Sequence, residues 1–182
     1  MGLDSVQIIV ETENCFEIEI EDKAAEKMRT VGDLVDYVWD HIEHKDSKVC
    51  LTQILFFRLR HFFCKNLDIT PSQFRPDSHF TDFGSRDQFK SLWGKLELDL
   101  ELSLPTVFMG EKVLLFFKAQ SDTVHDLIDG IIYKNLESLN KEYAITKDVV
   151  FSVIASITHD IVGAPRKSIV SSAKFVDDLG VS

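Results

Sequence analysis

Proline and glycine are scarce in this 182-residue chain, at four and eight residues, which leaves little room for disordered linkers. Cysteine is scarcer: Cys15, Cys50 and Cys64 are odd in number, lie in apolar surroundings and form no CxxC pair. Neither a disulfide framework nor a zinc knuckle is therefore expected. No apolar run reaches the roughly 18 uncharged residues that a membrane-spanning helix needs. Met1 is followed by a charged amphipathic stretch instead of a basic region and an apolar core, so the chain is expected to be soluble, intracellular and cytoplasmic. A glycine-rich phosphate loop, HExxH and GxSxG are all missing, and nothing in the sequence argues for an enzyme. Basic excess is missing as well. The 20 Lys and Arg against 30 Asp and Glu leave a net charge of −10, which disfavours nucleic acid as a partner.

What is present is apolar bulk, unevenly distributed charge and phenylalanine. At 45% apolar residues the chain can fill a sizeable core, and its length suits one or two domains. Residues 1–45 hold 12 acids and 4 bases, residues 46–140 hold 13 and 11, and residues 141–182 hold 5 and 5. Eleven of the fourteen phenylalanines fall in 46–140. The middle of the chain thus differs in composition from both flanks.

The apolar spacing predicts mostly helices. From Ser5 to Phe16, Val6, Ile9, Val10 and with them Ile8 fall on one side, leaving Asp4, Gln7, Glu11 and Glu13 to solvent. Phe16-Glu17-Ile18-Glu19-Ile20-Glu21 alternates with period two, the pattern of a half-buried strand, although one strand without a pairing partner is unstable. Asp22 is placed to cap a short helix through Met28, and Thr30 a longer one carrying Val31, Leu34, Val35 and Val38. Further helices are expected at 49–65, 86–97, 123–139 and 147–163, the last stopped by Gly163 and Pro165.

The sequence also repeats itself. Thr30-Val31-Gly32-Asp33-Leu34-Val35-Asp36 returns as Thr123-Val124-His125-Asp126-Leu127-Ile128-Asp129, and Asp82-Phe83-Gly84 is answered by Asp178-Leu179-Gly180, at offsets of 93 and 96. Similar offsets at separate places indicate two copies of one helical unit.

Phe16-Glu17-Ile18-Glu19-Ile20, followed by Ala25-Glu26-Lys27-Met28-Arg29-Thr30-Val31-Gly32-Asp33-Leu34-Val35-Asp36-Tyr37-Val38, resembles the second half of an acyl carrier protein. The first half resembles residues at the other end: a helix from Asp148 to Val162, a loop, then Phe175-Val176-Asp177-Asp178-Leu179-Gly180. The order is inverted relative to the family. The resemblance implies an all-α fold of two acyl-carrier-protein-like four-helix bundles. One would be a circularly permuted unit made of 1–45 plus 141–182, and the other a degenerate copy at 46–140 inserted where the first would have had its natural ends.

Family members attach 4′-phosphopantetheine to the serine of an Asp-Ser-Leu motif that opens the second helix. Counting back without gaps from Phe16, that attachment position falls on Gly2. Ser5 lies three residues further on, and Gly180-Val181-Ser182 stops at or one short of the same position, so the open alternatives are Ser5, Ser182 or no modified serine. Choosing Ser5 shortens the helix by three residues and turns its apolar face by about 300°. In the middle copy, Leu51 to Cys64 matches the first helix, Leu67-Asp68-Ile69-Thr70-Pro71 the loop and Asp82-Phe83-Gly84 the lead-in. The attachment position there falls near Arg86 or Asp87, and Ser85 sits too early, so this copy resembles a carrier fold that cannot carry.

By the same resemblance a separate phosphopantetheinyl transferase would load the serine from coenzyme A, and the arm would hold an acyl group as a thioester. Basic-faced partner enzymes, synthases and acyltransferases among them, would read Asp4, Glu11, Glu13, Glu19 and Asp22. The alternative is a pseudo-carrier, a scaffold or docking module without the arm. Both ends are expected to meet, within one chain or between copies in a domain-swapped oligomer. The pairs Phe56-Phe57, Phe62-Phe63 and Phe116-Phe117 point to different sides of a helix, so some are expected at an interface. His41 and His44 have a spacing that suits a metal but no third ligand, and His61 with Cys64 reads as filling; no metal site is expected.

Overall fold

The computed structural model describes residues 2–43, 50–105 and 123–182, and in them the chain is helical, with no β-strand. Eight α-helices run in order: α1 (Leu3–Phe16), α2 (Asp22–Ala25), α3 (Val31–His41), α4 (Leu51–Asn66), α5 (Arg86–Leu100), α6 (Val124–Lys134), α7 (Leu136–Glu142) and α8 (Lys147–Val162). They divide between two compact units, Met1–Ser47 with Leu136–Ser182, and Lys48–Asn135. A boundary at residue 140 would cut α7, which lies whole in the first unit.

The helix starts follow their capping residues. Thr30, Ser85, Thr123 and Thr146 are the N-caps of α3, α5, α6 and α8, each with a side chain accepting from a backbone N–H of the first turn. Asp22 is a first-turn residue of α2 and makes no cap. Gly163 ends α8 in the left-handed region (φ 68°), as its lack of a side chain allows.

In the first unit α8 packs against both α1 and α3. Its residues from Ser152 to Thr158 are all buried, as expected of a helix that is apolar on every side. The buried hydroxyls bond within their own helices, Ser156 to the Ser152 carbonyl (2.9 Å) and Thr158 to that of Ile154 (2.8 Å). On α1 the buried face is Ile8, Thr12 and Phe16. Val6 and Val10, expected inside, are 43% and 44% exposed, and Leu3 is 80% exposed. This helix carries apolar residues on several sides, so periodicity alone could not choose the face that α8 covers.

The period-two run after α1 is not a strand. Glu17 turns into the left-handed region (φ 54°), and the Glu13 carboxylate accepts the Ile20 N–H at 2.7 Å. Phe16 and Ile20 are buried while Glu17, Glu19 and Glu21 are exposed, so the alternation belongs to an extended connection.

In the second unit α4 packs against α5 and α6. Phe63 sits among Phe62, Phe74, Phe80 and Phe89 at ring-centroid distances of 5.5–6.0 Å, within the range of favourable aromatic pairs. Phe62 and Phe63 are buried; Phe57 is 45% exposed beneath the Arg60 guanidinium, 4.7 Å from its centroid. Phe116 and Phe117 lie outside the described residues. The single helix expected at 123–139 is two, because Asn135 pairs its side-chain amide with both backbone groups of Ser103, at 2.9 and 2.8 Å.

The sequence repeat is also a repeat of hydrogen bonds. In the first turn of α3, Val31 N–H donates to Ala173 O and Gly32 N–H to Ser171 O; in the first turn of α6, Val124 N–H donates to Ser78 O and His125 N–H to Pro76 O. In both units a loop clasps the start of a threonine-capped helix. In each loop an aspartate accepts a backbone N–H, Asp178 from Lys174 (2.8 Å) and Asp82 from His79 (3.3 Å).

Candidate functional site

The two ends of the chain meet at the amino end of α1. Gly2 is the N-cap and has no side chain with which to satisfy the free N–H groups of the first turn. Ser182 does so instead: its carbonyl accepts from Asp4 N–H (3.1 Å) and Ser5 N–H (3.4 Å). The Asp4 carboxylate in turn accepts the Ser182 backbone N–H (3.2 Å) and hydroxyl (2.7 Å), and the Ser5 hydroxyl donates to Ser182 O (3.4 Å). Asp4 also sits where the positive end of the helix dipole favours an anion. Gly180 (φ 69°) turns the loop so that Val181 enters the core, 2% exposed, with its N–H on Phe175 O.

A cavity of about 590 Å³ opens beside this junction, a volume typical of small-molecule sites. Three stretches of sequence build it. Ile8 and Ile9 come from α1, Ala25 and Met28 from the segment around α2, and Phe175 and Val181 from the last loop. Ser5 and Ser182 lie at its edge with Glu26, Arg29, Lys174 and Asp177. Lys174 is tied to Asp177 at 3.1 Å. Arg29 makes no side-chain hydrogen bond or ion pair among the described residues; its charge acts through space on Asp33. The Asp33 carboxyl lies below its usual range, held there first by the Thr30 backbone N–H.

Of the sequence-predicted positions, Gly2, Ser5 and Ser182 are thus brought together. Gly2 has no room for a serine, because a Cβ there would overlap the backbone of Ser182. Ser182 is exposed and Ser5 half-buried. The five acids differ in their surroundings: Asp4 holds Ser182, Glu13 holds Ile20 N–H, Glu11 is half-buried, and Glu19 and Asp22 stand exposed beyond the helix end or at α2. Half-buried Cys15 lies near Glu11, and burial first, then that charge, pushes its thiol up to about 11. No family model matches the chain, and no solved structure matches it. No helix among the described residues is long and apolar enough to cross a membrane.

The second unit has a serine at a helix start as well. Ser85 is the N-cap of α5, as Gly2 is of α1, and it forms a reciprocal capping box with Gln88. Ser85-Arg86-Asp87-Gln88 is the Ser-x-x-Gln signature of such a box, and the helix begins at Arg86, where the apolar spacing put it. Beneath it Phe80, Phe83 and Phe89 pack together, with centroids 5.6 and 6.2 Å apart. His41 stacks on Tyr37 at 4.0 Å and its Nδ1 donates to Tyr37 O; His44 lies outside the described residues. His61 is exposed and Cys64 half-buried. His125 faces Asp129 one turn on, at 3.6 Å, and not its sequence neighbour Asp126.

Proposed function

We propose that this chain is an acyl-carrier-type protein, built of two carrier-like four-helix bundles, that presents acyl chains to, or docks with, fatty-acid or polyketide-type biosynthetic enzymes. The observation that supports this most is the apolar cavity at the amino end of α1, with two hydroxyls on its edge. An apolar chain loses its contact with water there, at about 0.8 kcal/mol per methylene.

A 4′-phosphopantetheine arm fits Ser182 best. Its hydroxyl is exposed at the cavity edge and held by Asp4, whereas Ser5 is half-buried and Gly2 leaves no space. When bound, the arm supplies a thiol that carries the acyl group as a thioester. Asp4 orients the Ser182 oxygen and accepts its proton's hydrogen bond while a separate transferase delivers the arm from coenzyme A. Basic-faced synthases, acyltransferases and that transferase are the proposed partners. Exposed Leu3, Val6 and Val10, spaced i, i+3 and i+7 on α1, give such a partner an apolar centre, and Glu19 and Asp22 stand exposed after the helix.

Incubating the full chain with coenzyme A, magnesium and a broad-specificity transferase tests the reading. A mass gain of one phosphopantetheine is expected, mapped to Ser182 and absent from Ser182→Ala. The second reading, a pseudo-carrier that docks without an arm, is favoured by one observation: the helix N-cap itself is a glycine. An unchanged mass in the wild-type chain selects it.

A further inference from the structure

We infer that the cavity of the first unit takes a free long-chain carboxylate, bound without a covalent link, its chain against Ile8, Ile9, Met28 and Phe175 and its head group on Arg29. The inference goes beyond the carrier reading, because it needs no phosphopantetheine arm and no serine nucleophile. The cavity is built whether or not a hydroxyl beside it is modified.

The class of ligand follows from the lining. A mostly apolar lining drawn from three segments favours a hydrocarbon chain, and each methylene that leaves water there tightens binding about fourfold. The head group is set by the charges on the edge. Lys174 already has Asp177, whereas the Arg29 guanidinium is in no ion pair among the described residues and acts on Asp33 only through space. A planar guanidinium matches a carboxylate through two parallel hydrogen bonds. Glu26 stands on the same edge and opposes an anion, so it sets an upper limit on affinity.

The experiment is calorimetric titration of the full chain, its mass first confirmed to carry no phosphopantetheine, with laurate, myristate and palmitate below their micellar concentrations. One molecule per chain is expected, tightening with chain length. Arg29 is exposed and its backbone carbonyl holds Phe175 N–H, so Arg29→Gln keeps that bond and should weaken palmitate about tenfold. Glu26→Gln should tighten it. Hexadecanol should bind the wild type and Arg29→Gln equally. Half-buried Ile9 lines the cavity, so Ile9→Trp, checked for unchanged helicity, should abolish binding. Absence of saturable binding, or binding unmoved by both Ile9→Trp and Arg29→Gln, overturns the inference. The two readings separate cleanly. A chain that accepts phosphopantetheine but binds no palmitate keeps the carrier reading and loses this one, and the opposite result does the reverse.

Discussion

Burial governs the reactivity of Cys15. With its thiol pushed up to about 11, the sulfur stays protonated at neutral pH, whereas Cys50 is exposed. At pH 8, a disulfide-exchange reagent should label Cys50 well before Cys15. Burial of the neutral Cys15 thiol also ties stability to pH. The contribution is complete below the ordinary thiol pKa and is lost as pH rises towards about 11, so melting temperature should fall across that alkaline window, less so in Cys15→Ala. At Gly2 the constraint is steric. Gly2→Ala should push Ser182 away and weaken the junction by about 1 kcal/mol for each hydrogen bond that is lost, measured by urea unfolding. These details were not legible in the sequence. The register of the carrier-protein resemblance puts the expected attachment position on Gly2, but the reason no side chain fits there is Ser182, 180 residues away.

Capping decides where the elements begin. The reciprocal boxes Thr30–Asp33 and Thr123–Asp126 have the same atoms bonded, at 2.8 and 3.1 Å in one and 3.1 and 3.2 Å in the other. Thr30→Ala and Thr123→Ala should each cost about 1 kcal/mol, read by thermal unfolding. Because the Asp33 carboxyl is lowered, its share is present above the ordinary carboxylate range and lost as pH falls through the lowered value; Asp33→Asn should flatten that acid limb. Helix extents were largely readable, since Thr30, Thr123, Gly163 and the apolar spacing are local signals. The α6–α7 break was not, because Asn135 is stopped by Ser103, 32 residues earlier. The buried face of α1 was not either, because what selects it is α8, from the far end of the chain.

At the scale of the whole molecule the first unit depends on both ends of the chain. Removing residues 136–182 deletes α8 and the last loop, leaving Ile8, Val35 and Val38 without cover. Amides of α1 and α3 should then lose their protection from hydrogen exchange, and retained protection would show that α8 is not what holds them. The net charge of −10 has most of its excess in residues 1–45, yet the structure commits Asp4 and Glu13 to hydrogen bonds inside the unit. Composition showed how many acids there are but not which ones are free to meet a partner. The cavity escaped sequence reasoning altogether, since residues from three separate segments line it. The measurement that bears most directly on the carrier account is the intact mass of the full chain after incubation with coenzyme A, magnesium and a phosphopantetheinyl transferase. The account predicts a gain of one phosphopantetheine that Ser182→Ala loses and Ser5→Ala keeps. A wild-type mass that does not change would contradict it.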